Sequence, residues 1–420
     1  MRTHPGPMDV SIWQRQFSLS GLIALVARRK IPIILAAGIG FRVAMYLSDR
    51  PFWQDESSLA INVDRLSPRE FFGQLGFQQL APPYFLTAVW VCGALFGHNR
   101  LAMRLIPLLG GIASLFLFLG VARRCLRPRA VFPALVMFAC TEDLIFFSSE
   151  MKQYSSDLAS SLACLLLGLT VGWTRLNPVR TAFLAAWGMA IVWFSHTAIF
   201  ALAAVGIVGL GRAVVARDRR LADLWLLVGT SWVAGFAAVH AVAVQQLGKD
   251  TQMWVFWSFA FPPMPPATAW DASWIFRRLA YYFVNPLGFD SPFGQRLSLI
   301  PALGLALLGG VGLWKDDRSK FALLMLPVAF VLAASGLKAY PFHGRLVLFL
   351  APSPLIATAA GLEWVRERRG RGILYAALAT MVLVVPASGA VFHLFSRIDD
   401  TRNFVGDRRD HRLNPINFPL

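Results

Sequence analysis

Long, almost uncharged apolar runs recur along nearly the whole chain and limit its fold more than any other feature. A helix needs about 20 mostly apolar residues to cross a bilayer, and the bilayer core has no water to satisfy a bare backbone group. The runs therefore predict an all-α polytopic membrane protein with about eleven transmembrane helices. The predicted spans are residues 31–48, 101–122, 130–147, 155–174, 181–194, 197–216, 221–246, 297–314, 321–337, 346–365 and 372–394.

The composition excludes a soluble globular enzyme. Only 15% of the 420 residues are charged and 56% are apolar or aromatic, whereas soluble proteins have about 25% and 45–50% respectively. The formal charge of +17 would suit a nucleic-acid binder only if a polar domain concentrated it on one face. No such domain is evident, so the excess of basic residues is expected in loops beside the bilayer.

The distribution of basic residues predicts the orientation of the spans, because Lys and Arg accumulate in short cytoplasmic loops. The N-terminal segment 1–30 and alternate connections carry 22 basic residues, and the remaining connections carry 11. We therefore expect a cytoplasmic N-terminus and external segments at 49–100 and 247–296. A transmembrane domain would span 31–395, followed by a short external tail at 396–420.

Three local interpretations complete this topology. The uncharged run 181–211 has basic flanks on both sides, so it should cross twice, with a break at Ser195 and His196. The apolar segment 82–97 is short, and we expect a juxtamembrane helix along the outer interface. The segment 247–296 is rich in Trp, Tyr and Pro and should lie on the outer leaflet. Only six of the forty basic residues are Lys, which is typical of a GC-rich bacterial genome. The expected location is the bacterial plasma (inner) membrane.

Two adjacent carboxylates, Asp55 and Glu56, follow the first span directly and have the interfacial Trp53 beside them. Such a pair can act as a base or hold a divalent cation such as Mg²⁺ or Mn²⁺. An acidic helix N-terminus with no chemical role is the alternative.

A second polar cluster surrounds the third predicted span. Asp143 lies within the span, and Glu150, Lys152 and Tyr154 follow it. If 130–147 continues as a helix, Asp143 and Glu150 are seven residues apart and share a face. Intramembrane charge is usually functional, although pairing that only fixes helix packing is the alternative.

Further cationic groups are Arg42, inside the first span, and Arg345, at the start of the tenth, with His343 two residues before it. Arginine suits phosphate because its planar guanidinium donates two parallel hydrogen bonds. Snorkelling of Arg345 to the lipid headgroups is the alternative. His196 at the predicted break is a weaker candidate, since such residues are often merely satisfied polar groups.

Several of these elements resemble motifs of the GT-C superfamily of membrane glycosyltransferases, which includes protein O-mannosyltransferases and lipid A aminoarabinose transferases. The similar segments are 53–56 (WQDE), 81–85 (APPYF), 96–107 (FGHNRLAMRLIP) and 149–155 (SEMKQYS), in the family's order. Lys152 stands where Arg is commoner. The similarity covers about 30–365 and is most specific in 50–160.

This resemblance implies a polyprenyl-phosphate-linked sugar donor and a glycan, lipid or protein acceptor on the extracytoplasmic side. It implies that Asp55 is the catalytic base, with Glu56 in reserve or helping to hold a metal, and that direct displacement inverts the anomeric centre. Arg345 and Lys152 would bind the leaving phosphate. The rest of the predicted donor-binding set is Tyr154, Glu150, Asp143, His196, Arg42 and His343.

Two other functions fit the same composition. A lipid-linked saccharide flippase or transporter would use buried charge to relay ions, and such proteins commonly contain paired repeats. The 50–160 pattern has no second copy in the later half of the sequence. A polysaccharide polymerase or ligase that uses lipid-linked chains is a close enzymatic alternative.

The orientation is testable by cysteine labelling in a background without the four native cysteines. Single cysteines near positions 75, 152, 265 and 341 should react with an impermeant maleimide from outside, because these positions fall in the external segments. Cysteines near 126, 218 and 368 should react only after permeabilisation. Labelling of 126 in intact cells would make 82–97 a true crossing and reverse the orientation of every later span.

Overall fold

The computed structural model describes residues 19–171, 176–248, 252–289, 297–368, 370–389 and 391–392. Across these residues the chain is helical, with no β-strand. The α-helices are α1 (Leu19–Leu47), α2 (Gln54–Arg65), α3 (Pro83–Phe96), α4 (Arg100–Cys125), α5 (Pro128–Cys140), α6 (Glu142–Phe146), α7 (Tyr154–Thr170), α8 (Pro178–Phe194), α9 (Ala198–Val215), α10 (Arg219–Leu247), α11 (Gln252–Phe256), α12 (Ala269–Ala272), α13 (Trp274–Val284), α14 (Leu299–Asp316), α15 (Arg318–Gly336), α16 (Pro352–Arg366) and α17 (Gly372–Ala379).

Short 3₁₀ segments connect several of these helices, and a π-helical stretch, Thr380–Val384, follows α17. The 3₁₀ segments are Glu70–Phe72, Gly76–Gln78, Phe147–Ser149, Ser258–Ala260 and Gly344–Leu350. The last of these carries Arg345 and leads directly into α16.

The prediction of an all-α polytopic membrane protein is confirmed, but the count of eleven spans is not. Seven described helices are long and apolar enough to cross a membrane, or nine if each of two bent helix pairs makes one span. The predicted spans 155–174 and 181–194 coincide with α7 and α8, which have 17 residues each. Parts of the predicted elements lie outside the described residues, namely 1–18, 172–174, 249–251, 290–296, 390 and 393–394, as does the whole tail 396–420.

The predicted juxtamembrane segment 82–97 is a helix, α3, which begins with Pro83 and ends before Gly97 at φ +87°. Proline is favoured at the first helical position because its missing N–H would lack a partner there. Glycine accepts the left-handed backbone that ends the helix. At 14 residues α3 is too short to span a bilayer upright.

A continuous helix over 130–147, the condition for Asp143 and Glu150 to share a face, does not form. The chain breaks between α5 and α6 with a bend of 61°, and Glu150 has an extended backbone. Two side chains donate hydrogen bonds to backbone carbonyl oxygens at the end of α5. Thr141 Oγ1 donates to Met137 O at 2.7 Å, and Arg42 Nη1 donates to Ala139 O at 3.3 Å. Asp143 and Glu150 therefore do not share a helical face.

A small apolar core holds α2 and α3 against the transmembrane bundle. It is formed by buried residues of α2, α3 and the connection between them, together with Met103 of α4 and Met151. Gln246, at the end of α10, fastens the connection by donating to Phe71 O at 2.7 Å. This packing fixes the first turn of α2, which carries Asp55 and Glu56, next to α4.

Helices α14 and α16 cross in close contact through two glycines. A Cβ atom on Gly361 would overlap with the carbonyl oxygen of Leu305, and one on Gly309 would overlap with the carbonyl oxygen of Ala357. Small residues permit such close backbone approach between membrane helices. The crossing fixes α16, and with it the preceding segment that carries Arg345.

Gly361→Ala should therefore force α14 and α16 apart and destabilise the protein by about 1–3 kcal/mol, the usual effect of overpacking. Gly304→Ala is the matched control, since a Cβ there has no neighbouring atom within 4 Å. Thermal unfolding in detergent measures both variants. Equal melting temperatures for the two variants would show that the crossing tolerates a methyl group.

Candidate active site

Asp55 and Glu56 occupy the first turn of α2, where the helix dipole favours negative charge. The predicted alternative of an acidic helix N-terminus is therefore correct as local structure. The two side chains nevertheless point to different partners, because Glu56 is on the buried face of α2 with Leu59 and Val63. Asp55 keeps 25% of its side chain exposed.

Asp55 forms ion pairs with two cations from distant parts of the chain. Its Oδ1 lies 3.1 Å from Lys152 Nζ, and its Oδ2 lies 3.0 Å from Arg345 Nη2. Lys152 and Arg345 are only 6% and 11% exposed. The structure thus brings together the acid and the two cations that were predicted to act on one donor. Arg345 is held by a carboxylate and does not extend alone toward the lipid headgroups.

Gln79, which received no role in the sequence analysis, lies in the same cluster. Its Oε1 accepts a hydrogen bond from Lys152 Nζ, and its Nε2 lies 3.4 Å from Asp55 Oδ1. The preceding residues Phe77 and Gln78 adopt positive φ angles of 60° and 54°. Such backbone is unfavourable for residues with side chains and often occurs at functional sites.

Electrostatics keep Asp55 ionised. Burial alone raises the pKa of Asp55, but the charges of Lys152 and Arg345 and the hydrogen bonds from Lys152 and Gln79 outweigh it and hold the pKa below its usual range. Burial lowers the pKa of Lys152, and Asp55 opposes that shift. At neutral pH Asp55 is therefore ionised, and it lies between the side chains of Lys152 and Arg345.

Aromatic rings and a third acid complete the surroundings of Arg345. Its guanidinium lies 4.7 Å from the ring centre of Trp53 and 5.7 Å from that of Tyr154, and such contacts stabilise a buried cation. Trp53 Nε1 donates to Glu150 Oε1 at 3.0 Å. Burial, followed by the charge of Glu56, raises the pKa of Glu150 to about 7.

Glu56 forms a buried pair with Arg104, an arginine of α4 that the sequence analysis quoted but left without a role. Arg104 Nε and Nη2 lie 2.8 and 2.7 Å from the two carboxylate oxygens, and both side chains are 1% exposed. The backbone N–H of Met151 donates to Glu56 Oε1 at 2.7 Å. Glu56 is less accessible as a base than Asp55, because its side chain is 1% exposed and that of Asp55 is 25% exposed.

His343, two residues before Arg345, contacts the aromatic segment that contains Phe259 and Tyr281. Arg278, on α13, lies 3.2 Å from His343 Nδ1 and also donates to Phe259 O. The His343 ring stacks on Tyr281 at 5.4 Å. Burial, then Arg278 and Arg345, lowers the pKa of His343 to about 3, so its ring is neutral. Nothing in the sequence paired Arg278 with His343, because 65 residues separate them.

The remaining predicted residues lie elsewhere. The described hydrogen bonds of Arg42 go to Gly38 O and Ala139 O, at the break after α5. His196 lies at the predicted break between α8 and α9, and burial, then the nearby His240, lowers its pKa to about 4. Asp143 lies in the first turn of α6. None of the described interactions joins Asp55 to Arg42, His196 or Asp143.

Asp55 and Glu56 do not fit the predicted divalent-cation site. Asp55 directs its oxygens to Lys152 and Arg345, and Glu56 directs its oxygens to Arg104. A divalent cation would have to displace these positive charges. The residues that the structure describes contain no group of three or more His, Cys, Asp or Glu side chains placed to hold a metal ion.

Comparison with solved structures shows that the fold is similar to those of ArnT and of an archaeal oligosaccharyltransferase, which agrees with the fold that the resemblance in the sequence implies. ArnT from Cupriavidus metallidurans in the apo state matches with a TM-score of 0.53 and 14% identity, over 90% of this chain and 78% of ArnT. ArnT bound to undecaprenyl phosphate matches with a TM-score of 0.51 and 14% identity, over 92% and 73% of the two chains.

The Archaeoglobus fulgidus oligosaccharyltransferase, tethered to an acceptor peptide, matches with a TM-score of 0.52 and 11% identity. The match covers 94% of this chain and 60% of the archaeal protein. No protein-family model and no curated protein matches the sequence. At these identities the likeness defines the fold, and the chemistry has to be argued from the residues.

The two acids of α2 should respond differently to neutralisation. Glu56→Gln leaves the buried guanidinium of Arg104 without its charge partner, so we expect a loss of about 3–5 kcal/mol and a clear fall in melting temperature. Asp49→Asn breaks the exposed pair with Arg100 and is the matched control, with an expected effect below about 1 kcal/mol. A Glu56→Gln protein as stable as the control would contradict a structural role for the Glu56 and Arg104 pair.

Proposed function

We propose that this protein is an integral-membrane glycosyltransferase of the bacterial plasma membrane. It would move a sugar from a polyprenyl-phosphate-linked donor to an acceptor on the extracytoplasmic side. The observation that carries this proposal is the cluster of Asp55 with Lys152 and Arg345, because one site then holds a candidate base beside two candidate phosphate-binding cations.

The two cations suit a lipid phosphate at the membrane boundary. Arg345 supplies a planar guanidinium and Lys152 a compact ammonium, and charge-assisted hydrogen bonds to phosphate oxygens are among the stronger ones. Both groups are largely buried, and electrostatic interactions are stronger where water is excluded. Negative charge grows on the phosphate as the bond to the sugar breaks, so both cations stabilise the transition state.

Asp55 is the proposed base. It is ionised at neutral pH and partly exposed, so an acceptor hydroxyl has access to it. Deprotonation by Asp55 would generate the attacking oxygen, and attack from the side opposite the leaving phosphate would invert the anomeric centre. His343 is neutral at this pH and can offer a hydrogen bond to the sugar or phosphate.

The comparisons support this class of substrate at the level of fold. One matching structure is of ArnT bound to undecaprenyl phosphate, and another is of an oligosaccharyltransferase tethered to an acceptor peptide. The second match favours one further candidate, a polymerase or ligase that transfers a lipid-linked chain instead of a single sugar. No step of the proposed reaction passes through a metal ion, because Asp55 and Glu56 are engaged by cationic side chains.

The proposed function predicts a specific effect of Asp55→Asn on sugar transfer. The variant keeps the size of the side chain but removes the base, so transfer should fall about 10²–10⁴-fold while the donor still binds. Transfer from a radiolabelled polyprenyl-phosphate sugar in proteoliposomes measures the first quantity and lipid binding the second. Glu150→Gln is a comparison in a second acid of the cluster, for which we expect a much smaller loss. Near-normal transfer by Asp55→Asn would remove Asp55 as the base.

A further inference from the structure

The ion pairs of Asp55 raise a question that the proposed function alone does not answer. The carboxylate that is proposed to take a proton is the same group that neutralises both phosphate-binding cations. A phosphate placed on Lys152 and Arg345 would lie beside a carboxylate of like charge, and like charges a few ångströms apart disfavour each other. The base and the phosphate therefore compete for the same two cations.

We propose that Asp55 exchanges its negative charge with the leaving phosphate during the reaction, so that Lys152 and Arg345 face two negative charges both in the donor complex and directly after transfer. This inference rests on the proposed function and adds a second role for Asp55. Besides accepting the proton of the acceptor, Asp55 forms ion pairs with the two cations while the phosphate carries a single negative charge. It gives up these ion pairs when the phosphate gains its second negative charge.

The charges balance at each stage. In the donor complex, Asp55 carries one negative charge and the phosphodiester carries one, against two positive charges. The acceptor O–H proton then passes to Asp55, and the acceptor oxygen forms a bond to the anomeric carbon. The bond between that carbon and the phosphate oxygen breaks, and its electron pair stays on the phosphate. The product phosphomonoester has close to two negative charges near neutral pH, and Asp55 is then uncharged.

The geometry allows each cation to contact both anions in turn. Lys152 Nζ reaches Asp55 and Gln79 together, and an ammonium has three donors and a guanidinium five. The guanidinium of Arg345 lies over the rings of Trp53 and Tyr154, so its position does not depend on Asp55 alone. Gln79 similarly keeps Lys152 in place after Asp55 becomes neutral.

The exchange has a consequence for product release. When Asp55 loses its proton to solvent, its restored charge repels the dianionic polyprenyl phosphate and reclaims both cations. The enzyme would then bind the spent lipid weakly in its resting state. A neutral side chain at position 55 would remove this repulsion and retain the product.

The test is the affinity of the purified full-length protein in nanodiscs for undecaprenyl phosphate at neutral pH. Asp55→Asn and Asp55→Ser should both bind this lipid about tenfold more tightly than the wild type, because a like charge next to the phosphate is removed. Asp64→Asn is the matched control. It removes a carboxylate from the same helix, one that pairs with the exposed His98, and should leave the affinity unchanged.

Undecaprenol, which has no phosphate, should bind all four proteins equally. Undecaprenyl phosphate should also raise the melting temperature of Asp55→Asn more than that of the wild type, because it replaces the lost partner of two buried cations. Unchanged or weaker phosphate binding by both neutral variants would overturn the charge exchange, even if they lose transfer activity and thereby support Asp55 as the base. Failure of the wild type and of both neutral variants to bind the lipid would instead overturn the proposed donor class.

Discussion

One carboxylate held between two largely buried cations is the interaction on which the rest of the site depends. Taking charges out of water is unfavourable unless each has a partner, and Asp55 provides the partner for both Lys152 and Arg345. Each of the three residues is held by a different element. Asp55 lies on α2, Lys152 lies between the 3₁₀ segment Phe147–Ser149 and α7, and Arg345 lies in the 3₁₀ segment Gly344–Leu350, which leads into α16.

The fold makes this arrangement rigid at the positions that matter. The buried pair of Glu56 and Arg104 fixes the first turn of α2 to α4, and the close crossing of α14 and α16 fixes the helix that follows Arg345. The aromatic segment 252–289 adds a third constraint, since Arg278 contacts both His343 and Phe259. Rigid support of this kind keeps charged groups oriented before a substrate arrives, which is the basis of electrostatic catalysis.

The sequence was sufficient for the fold class and for the central residues, because both leave strong local signals. Apolar runs bounded by charge identify membrane helices, and Asp55, Lys152 and Arg345 stand out as charges next to such runs. The break at Thr141 was not predictable, since no proline or glycine marks it. One of the carbonyl oxygens there, Ala139 O, accepts its hydrogen bond from Arg42, which lies on a different helix, α1. Gln79, Arg104 and Arg278 were missed because their partners are distant in sequence. An isolated glutamine or arginine near a membrane boundary resembles an ordinary interfacial residue.

The measurement that tests the central claim most directly is an experimental density map of the protein with a polyprenyl phosphate bound. The account predicts the phosphate within about 3 Å of both the Arg345 guanidinium and the Lys152 ammonium, the usual length of charge-assisted hydrogen bonds, with Asp55 next to it. A phosphate bound at another basic group, such as Arg42, with the ion pairs of Asp55 intact, would contradict the account.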